Sequence, residues 1–223
     1  YVTIYEEPRE EGEYAAGCDC ATGRGGSFNS AAFIDLSSAS KVAEIHGKLD
    51  PDEYANQLSW LGRHYNNARL AVEMAGGYGE PVVILLRNPT DGRSPYPTLS
   101  RHRHETHSAW PESKQWGFPM TSKTRALVLG YLEKLIRERA FIRLDHATLR
   151  ELQTFVRKPT GTSPRAQDGC NDDRVMSLAI AAEMFRRYGA HEGRGLQPKK
   201  KIRSRDFPPG SPSWEVPFDK RYG

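Results

Sequence analysis

Cysteine is scarce in this chain, with 3 among 223 residues: Cys18, Cys20 and Cys170. Three thiols build no disulfide framework, which fits a reducing compartment. No apolar stretch approaches the roughly 20 residues that a membrane-spanning helix needs. The opening Tyr1-Val2-Thr3-Ile4-Tyr5-Glu6-Glu7 is not a signal peptide, and the missing initial Met points to a piece of a longer polypeptide. No Gly-x-x-x-x-Gly-Lys-[Ser/Thr] occurs, so the chain by itself is no ATP-driven motor. The Gly-rich turn at 23–26 lacks the Lys and following helix of a phosphate loop. Excess charge is also missing from most of the chain. From Gly189 onward there are 8 Lys+Arg against 4 Asp+Glu, leaving 24 against 24 in residues 1–188. A polyanion would have to be held by local patches, by the tail or by metal ions.

What is present is enough apolar residue for a core, 37% hydrophobic with 10% aromatic, which excludes wholesale disorder. The pattern predicts strands at 14–19 and 30–36 joined by a Gly-rich turn, and a third at 41–46, as an antiparallel meander. Asp50-Pro51-Asp52-Glu53 predicts a helix over 51–65, with Asp50 as its cap and Pro51 at its first position. Ala68 to Met74 reads as a buried return strand, followed by a helix near 79–87. Residues 88–118 read as a loop or hairpin excursion. Helices are expected at 121–139, 146–153 and 172–188, a short strand at 141–144, and a hairpin pairing 154–157 with 164–167. Residues 1–188 would form one domain, and 189–223 a basic, Pro-rich extension.

Three acidic positions lie where an apolar element meets a polar break: Asp19, Glu73 and the pair Asp172–Asp173. A carboxylate there is costly to desolvate unless a cation or hydrogen bonds compensate. Several of them converging would supply oxygen ligands for a hard divalent ion. The bland alternatives are a turn residue at Asp19, a surface acid at Glu73 and plain helix capping by one of the two aspartates. Cys18 and Cys20 share a strand face opposite Asp19 and read as buried packing residues. The cluster His102, His104 and His107 is short of a tetrahedral zinc set and reads as a DNA-facing hairpin or a solvated loop. Arg101, Arg103, Lys123 and Arg125 are candidate phosphate contacts, with ordinary surface cations as the alternative. The tail lysines suit non-specific contacts with DNA or a partner.

Seven strings, in order over roughly residues 14–187, resemble the C-terminal nuclease domain of the large terminase subunit of tailed phages and related viruses. They are Gly17-Cys18-Asp19-Cys20-Ala21-Thr22-Gly23, Leu49-Asp50-Pro51-Asp52-Glu53-Tyr54-Ala55, Tyr65-Asn66-Asn67-Ala68-Arg69-Leu70-Ala71-Val72-Glu73, Trp116-Gly117-Phe118, Thr121-Ser122-Lys123-Thr124-Arg125, Glu151-Leu152-Gln153-Thr154-Phe155-Val156 and Gly169-Cys170-Asn171-Asp172-Asp173-Arg174-Val175-Met176. The resemblance implies an α/β, RNase H-like fold, a mixed sheet of about five main strands flanked by helices. It puts the family's metal ligands on Asp19, Glu73, Asp172 and Asp173. The implied chemistry is two-metal-ion hydrolysis of double-stranded DNA with Mg²⁺ or Mn²⁺, the ions about 3.5–4 Å apart. Implied partners are an upstream ATPase domain in the parent chain, a terminase small subunit and a portal, in the cytoplasm of an infected bacterial host and with no membrane. Two departures flank the ligands: Asn29 where the family often has Asp, and Asn171 where it often has His. They keep two alternatives open, a different RNase H-like nuclease of the junction-resolvase type and a catalytically weakened DNA-binding or motor-docking module.

Overall fold

The computed structural model describes residues 1–22, 28–101, 115–140, 143–157 and 163–189. Its centre is a five-stranded sheet in the order β1-β4-β3-β2-β5. β2 (Tyr14–Asp19), β3 (Asn29–Asp35) and β4 (Lys41–Gly47) form the expected antiparallel meander. β1 (Val2–Ile4), which the sequence did not announce, pairs antiparallel with β4 at the edge. β5 (Arg69–Val72) returns parallel to β2 after α1 (Pro51–His64). The sheet is therefore mixed, as the resemblance implied.

Alternation of side chains across the strands divides the core into two layers. Ala16, Cys18, Phe33 and Ile45 face one side, under α1 residues Leu58 and Leu61 and α2 (Gly79–Arg87) residues Val82 and Val83. Ala15, Ala32 and Ile34 face the other, under α3 (Ser122–Arg137) and α5 (Asp173–Tyr188). α5 lies against β2 and β3 and is covered in turn by α3 and α4 (His146–Thr154). That double covering explains why Val175 through Phe185 are all buried and why no polar stripe runs along this helix.

Thr121 and Thr124 form a reciprocal capping box at the start of α3. Asp50 precedes α1 with extended backbone, yet its side chain makes no capping bond, which corrects the expected cap. Pro51 and the acids Asp52 and Glu53 set that helix start instead. The expected hairpin forms from β6 (Phe155–Val156) and β7 (Arg165–Ala166). Arg143 and Leu144 are not in a strand, and 141–142 lie outside the described residues. So do the 23–26 turn, the histidine cluster, Arg103 and all but the first residue of the proposed extension. The described part of the 88–118 excursion meets the sheet end by single bridges, Leu70 to Leu99 and Glu73 to Phe118, and Arg101 bridges to Trp116 within it. Among the described residues no helix is long and apolar enough to cross a membrane.

Candidate active site

Parallel pairing brings the first two acids together. Cys18 is in register with Val72, and the Glu73 N–H donates to the Cys18 carbonyl at 2.8 Å. Asp19 and Glu73 thus emerge side by side from the C-terminal ends of adjacent parallel strands, where open α/β sheets place their ligand sites. Tyr54 of α1 fixes the backbone beneath them, its hydroxyl donating to the Ser30 carbonyl at 2.7 Å and the Asp19 carbonyl at 3.3 Å.

α5 supplies the other two acids. Its N-terminus reaches the same sheet end because the helix packs closely on β2 and β3, with Ser177 Oγ 2.9 Å from Ser30 Oγ. Asp19 feels all three neighbours. Burial first, then the neighbouring Glu73 carboxyl, then repulsion from Asp173 and Asp172, hold its carboxyl well above the usual range. Burial, with repulsion from Glu151 and Asp172, raises Asp173 to about 6. Two carboxylates in one desolvated place cannot both ionise cheaply unless a cation joins them.

The capping alternative for the aspartate pair is not what the structure shows. Asp172 stands at the N-cap but makes no side-chain capping bond. Its Oδ2 accepts only long contacts, from Arg125 Nη2 and the Ala166 N–H, both at 3.4 Å. Oδ2 of Asp173 is buried without a hydrogen-bond partner among the described residues. An orphaned carboxylate oxygen at the sheet end that carries Asp19 and Glu73 fits a divalent cation. Among the described residues no three His, Cys, Asp or Glu side chains gather tightly enough to hold an ion unaided. Mg²⁺ ordinarily takes one or two carboxylates and completes its shell with water and substrate phosphate.

Asn29 is not free to act as a ligand. Its Oδ1 accepts from the Ala21 N–H at 2.9 Å, and its Nδ2 donates to the Leu49 carbonyl at 2.8 Å. Both ends of the amide clamp loop backbone. Asn171 is exposed. Arg125 pairs with Asp172, Lys123 is exposed on the first turn of α3, and the Arg101 guanidinium lies over the Trp116 ring at 4.0 Å. Arg87 stacks on the same ring at 4.7 Å. Sequence reading missed Arg87 and Tyr54, whose contacts span the fold and leave no local signature.

It also missed a buried ionic chain next to the acids. Lys41, fully buried, pairs with Glu44, with Asp145 Oδ2 at 2.6 Å and with Thr148 Oγ1 at 2.8 Å. Glu44 Oε1 then accepts Arg174 Nε at 3.1 Å. Arg174 Nη1 lies 3.1 Å from His46 Nε2 and donates to Glu151 Oε1 at 3.0 Å. Burial, aided by the Arg174 charge, lowers the His46 pKa to about 4.

No family model matches the chain. Its fold is that of phage large terminase nuclease domains. The large terminase nuclease of thermophilic phage G20c with bound magnesium superposes with a TM-score of 0.61 at 18% identity, covering 82% of this chain and 86% of that one. The cobalt-bound form of that nuclease gives 0.60, again at 18% identity and over 82% and 86% of the two chains. The Thermus phage P74-26 large terminase nuclease domain gives 0.59 at 19% identity, over 81% and 83%. The sheet and its helices are therefore RNase H-like, as the residue strings implied.

Proposed function

We propose that this chain is a divalent-metal-dependent endonuclease domain of a phage DNA-packaging terminase, cutting concatemeric double-stranded DNA. One observation carries the reading: parallel register sets Asp19 beside Glu73, whose N–H donates to the Cys18 carbonyl at 2.8 Å, and α5, which starts at Asp173, packs on the same strand end with Ser177 Oγ 2.9 Å from Ser30 Oγ. Acids from two strand ends and a helix start, 54 and more residues apart in sequence, thus lie at the same end of the sheet. A structural relative of the same fold holds magnesium, which supports Mg²⁺ or Mn²⁺ as the cofactor here.

In this reading Asp19 and Glu73 hold the cation side of the scissile phosphate from the sheet, and Asp172 and Asp173 hold it from the helix. Two bound ions would supply an ionised water nucleophile and neutralise the leaving oxygen. The residues of the chain then have only to orient ligands and substrate, and no side-chain general base is needed. Arg101, Lys123 and Arg125, with Arg103, would contact phosphates. Arg125 is well placed for this, since its guanidinium already reaches Asp172 at 3.4 Å. Phosphate contacts position DNA without reading its sequence, so weak sequence preference is expected. The upstream ATPase domain, small subunit, portal and bacterial host cytoplasm belong to this same proposal.

Supercoiled plasmid incubated with Mg²⁺ or Mn²⁺ tests the reading. Wild type should nick and linearise it, and Asp19→Ala should lose at least about a hundredfold of the rate, the scale of removing a principal electrostatic group. Equal cutting by the two proteins removes the assignment.

A further inference from the structure

Glu151 of α4 satisfies the first turn of α5, a task usually left to the residue just before a helix. Its Oε2 accepts the Arg174 backbone N–H at 2.8 Å, and its Oε1 accepts Arg174 Nη1 at 3.0 Å. Helix starts carry N–H groups without internal partners, and an aspartate at the N-cap ordinarily turns back to accept one. Asp172 occupies that place and does not. The Arg174 N–H it would seek is already taken.

The device is anchored on both sides. Arg174 is held to β4 through Glu44 at 3.1 Å. Glu44 in turn holds Lys41, and Lys41 reaches Asp145 at 2.6 Å. Asp145 caps α4, the helix that carries Glu151, by accepting the Thr148 N–H at 2.9 Å. The starts of α4 and α5 are thus tied to the same strand through buried groups, which fixes where Glu151 can sit.

We propose that Glu151 is a positioning residue of the metal site, capping α5 from outside so that the carboxylates of Asp172 and Asp173 stay available to divalent cations. The inference rests on the nuclease reading above. It accounts for two facts at once, the N-cap aspartate without a capping bond and the buried Asp173 oxygen without a partner.

Calorimetric titration of the full chain with Mn²⁺ alone tests it, with wild type, Glu151→Ala and Glu151→Gln compared. Without Glu151, the first-turn donors compete for Asp172. Glu151→Ala should bind Mn²⁺ about ten- to a hundredfold more weakly, the usual effect of losing a group that orients a metal ligand. Glu151→Gln keeps an acceptor for the Arg174 N–H and should recover most of the affinity. In plasmid cleavage, kcat should fall in Glu151→Ala while KM for DNA stays within a few fold. Wild-type affinity in Glu151→Ala overturns the proposal, as does equal weakening in both variants in step with lost thermal stability. Wild type that binds no Mn²⁺ removes the metal-site reading and this inference with it. Should Glu151→Ala fail to fold, amide exchange in wild type decides. The Arg174 N–H should keep equal protection with and without Mg²⁺, and protection lost on adding Mg²⁺ would show that an aspartate had been the cap.

Discussion

Gly17 and Ser177 leave no space between β2 and α5. A Cβ on Gly17 would stand 2.2 Å from the Ser177 carbonyl oxygen and 2.3 Å from the Ala181 backbone nitrogen. Gly17 lies two residues before Asp19 on the same strand face, and Ser177 lies about one turn after Asp173. The contact therefore fixes how near the helix acids come to the strand acid. Gly17→Ala should destabilise by about 1–3 kcal/mol, since backbone atoms cannot move aside as a side chain would. Urea denaturation measures that loss, and Mn²⁺ titration of the folded variant should show weakened binding. Unchanged stability and affinity would mean that the helix has slack the packing does not show.

Lys41 is among the largest fully buried side chains, with two carboxylates as partners. Lys41→Met keeps much of the volume and strands those acids without a cation. Breaking one side of a buried pair costs about 3–5 kcal/mol, so chemical denaturation should show a loss of that order. A variant as stable as wild type would mean that Glu44 and Asp145 take up protons or other partners.

The same network sets a pH dependence. His46 holds a pKa of about 4 in the fold, against about 6.5 in an unfolded chain. The folded state therefore favours neutral imidazole, and His46 contributes stability above pH 6.5 that is lost as pH falls toward 4. Asp145 acts lower. Burial pushes it up, but the Lys41 charge and hydrogen bond, with those from Thr148, outweigh burial and hold it at about 2. Its contribution is present above about pH 4 and lost as pH falls through 2. NMR titration of the His46 ring checks the first claim, and a midpoint near 6.5 would contradict it.

Asn29→Asp places an acid where the sequence resemblance implied one. Here it would remove the donor to the Leu49 carbonyl and set a carboxylate against that oxygen. Leaving a buried acceptor unpaired costs about 1–3 kcal/mol. The variant should melt lower and cut plasmid no faster than wild type. Faster cutting would show that the position belongs to the metal site after all.

The meander, α1, the return strand β5 and all three later helices are legible in the sequence because each rests on local periodicity and local breaks; that β5 runs parallel to β2 is not. Asp19, Glu73 and the aspartate pair were legible as acids ending apolar runs. β1 was not, since three residues carry too little alternation and its pairing with β4 spans about forty positions. β4 holds a further feature the sequence hides. A register shift opposite Phe33 and Ile34 breaks its alternation, and Lys41 and Glu44 are buried, paired with groups from α4 and α5 that no window of sequence contains. Glu151 escaped notice for the same reason, as its partner Arg174 lies 23 positions away. The bonds of Asn29 to the Ala21 N–H and the Leu49 carbonyl were not legible, because hydrogen bonds to loop backbone are invisible without coordinates.

Crystals soaked in Mn²⁺ and measured at the manganese absorption edge probe the central claim most directly. Anomalous peaks should appear between the carboxylates of Asp19, Glu73 and the Asp172–Asp173 pair, and should vanish in Asp19→Asn. Peaks only elsewhere on the molecule, or peaks at that place which survive Asp19→Asn unchanged, would contradict it.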